Sequence, residues 1–404
     1  MTAAIPVLTH TLPNLMLRGR PLLPVVQGGM GVGVSAHRLA GTVASLGGLG
    51  TIASVDLRRL HADLMARTEG ATRELIEAAN LEALDREVRA ALELARGAGA
   101  VAVNVMRAVS QYADYVRQAC RSGANAIVMG AGLPLDLPEL VSEFKDVALI
   151  PILSDARGLS LVVKRWMRKG RLPDAVVLEH PGWAGGHLGA ANVGDTTNQR
   201  FDMETVLPEC VQALEQLGLK PGEVPLIAAG GVNSHERIRE LMALGASAVQ
   251  VGTAFAVTEE GDADIEFKHV LANAKPEDIV EFMSVAGLPA RAVNTPWLSR
   301  YLQRETKLQA AAERTTDAER NCSQRWDCLI QCGLRDRLPK AGQFCIDKHL
   351  AAACHGDVKN GLFFRGKGSL PFGNEIRPVR DVLEFLLRAP QALGLPLAKA
   401  ARPA

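Results

Sequence analysis

The chain has 404 residues, of which 48% are hydrophobic and 22% charged, so it can bury a large core and is neither disordered nor fibrous. Its 45 Lys and Arg residues nearly balance 44 Asp and Glu residues, and a formal net charge of +1 gives no general attraction to nucleic acid or anionic membranes. The N-terminal stretch holds prolines at positions 6, 13, 21 and 24, and no apolar run of signal-peptide or membrane-span length is found. These features predict a cytoplasmic protein that acts on a small molecule.

Short apolar runs rich in Val, Ile, Leu and Ala recur along the first two thirds of the chain. There are eight runs, at residues 22–29, 49–54, 100–106, 126–132, 148–154, 175–180, 225–231 and 248–255. Each run is continuous rather than alternating, as in strands buried on both faces of a parallel sheet, and a helix-like segment follows each one. Eight such units predict an α/β fold of the (β/α)8 TIM-barrel type. A doubly wound sheet is less favoured because "GGMGVGVS" matches a dinucleotide fingerprint poorly.

In such a barrel, the residues that follow each strand face the active site. These residues are mostly small or hydrogen-bonding: Gly28, Gly29, Met30, Ser54, Asn104, Gly130, Gly132, Ser154, Glu179, His187, Gly230, Gly231, Gly252 and Thr253. The stretches "AAGGV" and "QVGTAF", at the seventh and eighth runs, favour a phosphate site built from backbone N–H groups, to which Thr253 can add its hydroxyl. The alternative is that these glycines serve only close packing and turns. A phosphate site, a planar space between glycines and the amide of Asn104 together suggest flavin mononucleotide (FMN).

His187 stands in the glycine-rich stretch "LEHPGWAGGHLGA" at residues 178–190. Glycines on both sides of it indicate tight turns or a flat ligand close to the main chain. With an ordinary pKa of about 6.5, a histidine in this place can donate or accept a proton at cellular pH. A catalytic or substrate-binding role is therefore expected for His187, although a lone histidine is more often structural.

Several stretches, taken together, resemble the nitronate monooxygenase family, formerly called 2-nitropropane dioxygenases. They are "VVQGGMGVGVS", "AVNVM", "AGGHLG", "PLIAAGGV" and "AVQVGTAFAVTEEGDADIEFK", and they occur in order over about residues 20–300. The same family contains FMN-dependent enoyl-acyl carrier protein (enoyl-ACP) reductases and some flavin-dependent quinone reductases. The resemblance implies a TIM barrel with one non-covalent FMN.

The resemblance also implies roles for individual residues. The FMN phosphate is expected between the loops that hold Gly230, Gly231, Gly252 and Thr253, with Gln250 just before the phosphate loop. Gly28, Gly29, Met30 and Asn104 are expected to approach the isoalloxazine and ribityl chain. The remaining expected cofactor-binding residues are Ser154, Glu179, Gly185 and Gly186. His187 is expected to face the flavin from the substrate side.

By the same resemblance, the expected reaction is oxidation of alkyl nitronates by O2, with His187 as base or anion stabiliser. The alternative is a reductase of enoyl-ACP, enones or quinones that takes electrons from NAD(P)H. The sequence departs from the family pattern because Trp183 replaces an acidic residue and Leu188 replaces an arginine. Trp183 is expected either to form a wall of the substrate pocket or to pack the long sixth loop. A third hypothesis is a binding module that retains FMN only as a structural or sensing group.

Beyond residue 300 the strand and helix pattern stops, so we predict a barrel at residues 1–300 and a C-terminal extension at residues 301–404. Residues 304–320 are predicted to form a charged helix, and "VRDVLEFLL" a final helix that folds back on the barrel. Between them lie Cys322, Cys328, Cys332 and Cys345, with spacings of x5, x3 and x12 that match no standard metal motif. These four cysteines are expected to be either reduced thiols in a small cap, or ligands of an iron-sulfur cluster or zinc.

Overall fold

The protein is described by a computed structural model that covers residues 8–314, 322 and 326–388. Eight parallel strands close into a barrel in chain order, and the last strand pairs with the first, with Val251 opposite Gln27. Their bounds are Val25–Gln27, Leu49–Ala53, Ala100–Met106, Ala126–Gly130, Ala148–Leu153, Val176–Glu179, Leu226–Ala229 and Ala248–Val251. Each strand lies within one of the eight apolar runs, so the predicted TIM barrel is confirmed.

Helices surround the barrel and follow its strands. The α-helices are His37–Ser45, Ala62–Thr68, Arg73–Ala95, Tyr112–Arg121, Leu137–Leu140, Ala156–Met167, Met203–Gln216, His235–Ala243, Thr253–Ala256, Ile265–Asn273, Pro296–Leu302, Glu305–Arg314, Ile346–Cys354 and Val379–Leu387. Short 3-10 helices occur at Leu57–Leu60, Val193–Asp195, Gln199–Phe201 and Pro276–Asp278. In the described part of the chain, none of these helices is both long and apolar enough to cross a membrane.

The helix His235–Ala243 shows how local sequence sets these bounds. The Ser234 hydroxyl accepts a hydrogen bond from the backbone N–H of Arg237 at 3.1 Å, which satisfies one of the free N–H groups of the first turn. Gly245, just after the helix, has a φ of 114°, which a residue with a side chain rarely adopts. The serine cap and the glycine therefore set the two ends of this helix.

The final helix, Val379–Leu387, completes the outer ring of the barrel. It packs against the helices His37–Ser45 and His235–Ala243 and against the first barrel strand. Val382, Leu383 and Leu386 are buried in the same core as the outward faces of the barrel strands. The last described helix therefore occupies the position of the eighth helix of a TIM barrel.

The interior of the barrel is filled by small and branched side chains, including Val26, Ala102, Ile150 and Val177. At the amino end of the strands, a hairpin of Leu15–Leu17 and Arg20–Leu22 adds its leucines to this interior cluster. The amino end is thus closed by packed side chains, and the carboxyl end is left for ligands.

A second sheet lies at the carboxyl end of the barrel. The strands Ile279–Met283 and Pro289–Val293 pair antiparallel, and Gly186–His187 pairs with the second of them. The segment after residue 326 crosses the same end, where Phe364 forms a bridge with Ala292 and Leu329 forms one with Val109. Part of the predicted 304–320 helix is present as Glu305–Arg314, and residues 315–320 lie outside the described part of the chain.

Candidate functional site

Two adjoining cavities open at the carboxyl end of the barrel. The larger has a volume of about 470 Å³ and the smaller about 140 Å³. Both are lined by Gly29, Met30, Glu179, Gly185, Gly252 and Thr253, so they form one continuous site. This is the end of the barrel at which strand-end residues were predicted to converge.

All fourteen residues proposed from the sequence as catalytic or cofactor-binding line one or both cavities. The larger cavity also includes Asn104, Ser154, Gly186 and His187, and the smaller also includes Gly28, Gly230, Gly231 and Gln250. Of the other strand-end residues, Gly130 and Gly132 line the larger cavity, and Ser54 is buried outside both. The structure therefore brings the proposed residues together.

The glycines of the first and sixth loops allow close approach of neighbouring chain segments. A Cβ atom at Gly29 would overlap Asn104 Cβ, and a Cβ atom at Gly185 would lie 2.5 Å from the backbone carbon of Arg365. Gly186 has a φ of 75°, in the left-handed region. The sequence indicated either tight turns or a flat ligand at the glycines beside His187. The structure shows that the glycines here let the protein's own segments pack closely at the cavity wall.

His187 is held by backbone pairing and by an aromatic contact. It lies opposite Ala290 in the second sheet, and the N–H of Leu188 donates a hydrogen bond to the Pro289 carbonyl at 2.8 Å. The His187 ring meets Phe364 edge to face, with ring centres 5.6 Å apart and planes at 66°. The position of the imidazole is therefore set by residues 279–293 and 364, which are remote from it in sequence.

The imidazole of His187 lies in a poorly solvated environment. Its Nε2 atom is buried without a hydrogen-bond partner among the described residues. Burial lowers the pKa of His187 from 6.5 to about 4, because the charged imidazolium loses its hydration. His187 is consequently neutral near pH 7.

Glu179, at the end of the sixth strand, lines both cavities. Burial raises the pKa of its carboxyl group from 4.5 to about 7, although the positive charge of Arg291 acts in the opposite direction. Arg291 is fully buried and forms an ion pair with Glu281 at 2.6 Å, and it also donates a hydrogen bond to the Ala184 carbonyl. Glu179 is therefore a carboxyl group that can hold or release a proton near neutral pH.

The smaller cavity has the features expected of a phosphate site. Gly230 and Gly231 adopt φ values of 94° and 73°, which turn the backbone sharply after the seventh strand. The Thr253 hydroxyl accepts a hydrogen bond from the N–H of Gly366 at 3.2 Å, so the hydroxyl proton stays free to donate to a ligand. Trp183 lines this smaller cavity beside Gly231 and does not line the larger one.

Several residues that the sequence did not assign to the site come from the C-terminal segment 361–370. Leu362, Phe364 and Arg365 line the larger cavity. The smaller cavity is lined in addition by Gly366, Gly368, Ser369 and Leu370. The stretch "GLFFRGKGSL" combines three glycines and two cations with paired aromatics, and this combination could have marked it as a candidate ligand-binding segment. Because this segment lies far from the barrel strands in the sequence, its position at the cavities could not be predicted.

The predicted metal site receives no support from the structure. In the described part of the chain, which includes Cys322, Cys328, Cys332 and Cys345, no three Cys, His, Asp or Glu residues are grouped so as to hold a metal ion. None of these four cysteines forms a disulfide bond within the described part of the chain. Burial raises the pKa of Cys328 and Cys332, which keeps both thiols protonated at neutral pH.

The barrel and its paired cavities define a TIM-barrel protein with a ligand site at the carboxyl end of its strands. The family model of nitronate monooxygenase matches residues 20–388, and this match identifies the chain as an FMN-dependent oxidoreductase. The chain therefore belongs to the nitronate monooxygenase family, as the sequence stretches predicted.

Known relatives agree with this assignment. The chain is 27% identical over 301 residues to a probable nitronate monooxygenase of Bacillus subtilis, covering 70% of this chain and 80% of that protein. Its fold is similar to nitroalkane oxidase from Streptomyces ansochromogenes, with a TM-score of 0.61, 19% identity, and coverage of 92% and 95% of the two chains. It is also similar to FabK from Thermotoga maritima, with a TM-score of 0.60, 22% identity, and coverage of 90% and 91%.

Proposed function

We propose that this protein oxidises alkyl nitronates with O2, with FMN in the two cavities and His187 beside the substrate. The observation that carries this proposal is the Nε2 atom of His187, which is buried at the larger cavity without a hydrogen-bond partner among the described residues. A buried polar atom without a partner is unfavourable unless a ligand supplies one. An oxygen atom of the substrate would satisfy it.

The shape and chemistry of the cavities suit FMN. Gly230, Gly231 and Gly252 with Thr253 would hold the phosphate in the smaller cavity, with Gln250 beside them, as backbone N–H groups and a hydroxyl do in other phosphate sites. The planar ring would lie in the larger cavity, along its lining residues Gly29, Met30, Asn104, Ser154, Glu179, Gly185 and Gly186. When bound there, FMN supplies the redox chemistry.

The low pKa of His187 favours one of its two proposed roles. A base whose conjugate acid has a pKa of about 4 removes protons weakly at neutral pH. A neutral imidazole with its proton on Nε2 can still donate a hydrogen bond to a nitronate oxygen. His187 is therefore proposed to orient and stabilise the anionic nitronate rather than to deprotonate a neutral nitroalkane.

A second candidate function is the reduction of an enoyl thioester, enone or quinone with NAD(P)H. Glu179 favours it, because a cavity-lining carboxyl group with a pKa of about 7 can deliver a proton to a reduced product. The fold similarity to FabK is compatible with this reaction but shows only the fold. We also propose a cytoplasmic location, since none of the seven cysteines, all of which lie in the described part of the chain, forms a disulfide bond, as is usual in a reducing compartment.

Oxygen consumption by the FMN-loaded protein tests the proposal. Propyl-2-nitronate should be oxidised without NAD(P)H, and NAD(P)H oxidation by enones or quinones should be slow. We expect His187→Ala to retain FMN and lose at least about a hundredfold in kcat/KM, as is usual when a group aimed at developing charge is removed. His269→Ala is the matched control, because His269 is an exposed histidine on the helix Ile265–Asn273. If the protein oxidised NAD(P)H rapidly with an enone and consumed no oxygen with nitronates, nitronate oxidation would be rejected in favour of the reductase function.

A further inference from the structure

Arg365 is a buried cation at the wall of the larger cavity. Its segment is fixed across the mouth of the barrel, where the N–H of Gly366 donates to Thr253 Oγ1 and the N–H of Lys367 donates to the Trp183 carbonyl at 3.1 Å. The side chain of Arg365 is 5% exposed. It is the only arginine or lysine that lines the larger cavity in the described part of the chain.

The guanidinium of Arg365 has no acidic partner. Its Nε donates to the Leu271 carbonyl and its Nη1 to the Gly366 carbonyl, both at 2.8 Å. These carbonyls satisfy donors but carry no net charge. No carboxylate of the described residues forms an ion pair with it, and its pKa is lowered by burial with no contribution from a neighbouring charge.

The other buried arginines of the described chain are paired. Arg58 lies 2.9 Å from an Asp56 oxygen, and Arg291 lies 2.6 Å from a Glu281 oxygen. An arginine cannot lose its proton in a protein, so a buried guanidinium without an anion is costly. Arg365 differs from the others in that it borders a ligand cavity, where an anion can come from outside the chain.

We propose that Arg365 binds an anionic oxygen group of the substrate in the larger cavity. His187 lines the same cavity, whereas Gly230 and Gly231, proposed to hold the FMN phosphate, line only the smaller one. Since His187 is neutral, Arg365 supplies the positive charge on the substrate side. The inference rests on the proposed function and narrows its substrates to compounds that carry a nitronate or another oxyanion.

Binding of two nearly isosteric probes to the FMN-loaded protein tests this assignment. Isobutyrate has the charge and nearly the size of propyl-2-nitronate, and isobutyramide has nearly the same shape as isobutyrate without the charge. Dissociation constants would be obtained from changes in the flavin absorption spectrum. In Arg365→Met we expect isobutyrate to bind at least about tenfold more weakly, because a charge-assisted hydrogen bond is lost, and isobutyramide to bind within about twofold of the parent.

Lys367→Met is the matched control, because Lys367 is a nearby cation of the same segment that is half-exposed and already paired with Glu281 at 3.0 Å. It should leave isobutyrate binding unchanged. Arg365→Lys, which keeps the charge, should restore part of the affinity. Equal weakening of both probes in Arg365→Met, or no weakening of either, would overturn the inference.

The source of the anion is tested on the FMN-free protein. If Arg365→Met weakens FMN but not riboflavin, Arg365 binds the cofactor phosphate and the substrate assignment is wrong. Unchanged affinities for both flavins are expected. A parent protein that binds no flavin would contradict the proposed function itself, and Arg365 would then be tested by the melting temperature in isobutyrate against isobutyramide. Stabilisation by isobutyrate that is lost in Arg365→Met would support the anion site independently of flavin, and its absence would overturn the inference.

Discussion

Gly189 and Ser154 lie so close that a side chain at position 189 fits only if the Ser154 side chain moves. A Cβ atom at position 189 would overlap the Ser154 hydroxyl oxygen and lie 3.2 Å from Ser154 Cβ. Through this contact, the end of the fifth strand determines the path of the loop that carries His187, two residues earlier. The small residues of the sixth loop are thus needed for packing as well as for ligand approach.

Gly189→Ala should displace His187 and reduce activity by about tenfold or more, since small misplacements of a catalytic group are costly. Removing the hydroxyl relieves most of the overlap, so Ser154→Ala combined with Gly189→Ala should recover part of the loss. The measurement is kcat/KM for the two single variants and the double variant, read as a double-mutant cycle. Purely additive losses would show that the contact does not determine the position of His187.

Glu179 and His187 should give opposite pH dependence to the stability of the FMN-free protein. The pKa of Glu179 rises from 4.5 to about 7, so the folded state holds more protons and stability falls as pH rises through this range. The pKa of His187 falls from 6.5 to about 4, so the unfolded state holds more protons and stability rises with pH. The two contributions largely cancel between pH 4.5 and 6.5.

Single substitutions should reveal each contribution. In Glu179→Gln, the free energy of unfolding should increase with pH between 4.5 and 6.5, by at most about 1.4 kcal/mol per pH unit relative to the parent. In His187→Asn it should instead decrease over the same range. Urea denaturation at a series of pH values measures both, and parallel curves for parent and variants would show that neither pKa is shifted by folding.

Glu281→Gln should strongly destabilise the protein. It leaves the fully buried guanidinium of Arg291 without its charged partner, at an expected loss of about 3–5 kcal/mol. Glu82→Gln is the control, because Glu82 pairs with Arg86 at the same distance of 2.6 Å, but both side chains are more than one third exposed. That change should alter stability by less than about 1 kcal/mol. If chemical denaturation gave similar losses of stability for Glu281→Gln and Glu82→Gln, burial of Arg291 would not be the cause of the destabilisation.

Leu383→Ala tests whether the final helix is part of the barrel. Leu383 lies on the helix Val379–Leu387 and is fully buried. Its truncation to alanine should destabilise the protein by about 2–5 kcal/mol. Leu161→Ala, the same change at a side chain that is 49% exposed on the outer helix Ala156–Met167, should have little effect. Unfolding would be followed by circular dichroism and by tryptophan fluorescence. We expect a single unfolding transition whose midpoint shifts by the same amount in both signals. If the midpoint of the barrel transition did not change, residues 1–300 and 301–404 would instead be two independent units.

The sequence by itself determined the barrel and the strand-end residues that line its carboxyl end. Strands buried on both faces must be continuous apolar runs, so their number and spacing can be read without tertiary information. Residues such as Asn104, Glu179 and Thr253 then follow, because every strand of a parallel barrel ends on the same side.

Only the tertiary structure decided what surrounds His187 and what closes the site. Phe364 and Arg365 lie more than 170 residues beyond His187 in the chain, and the pairing of His187 with Ala290 involves a two-residue strand that has no periodicity to detect. The pKa shifts of His187 and Glu179 arise from burial, which depends on the packing of the complete chain. Local patterns determine strands and turns, but contacts between distant segments determine charge and solvation in the cavity.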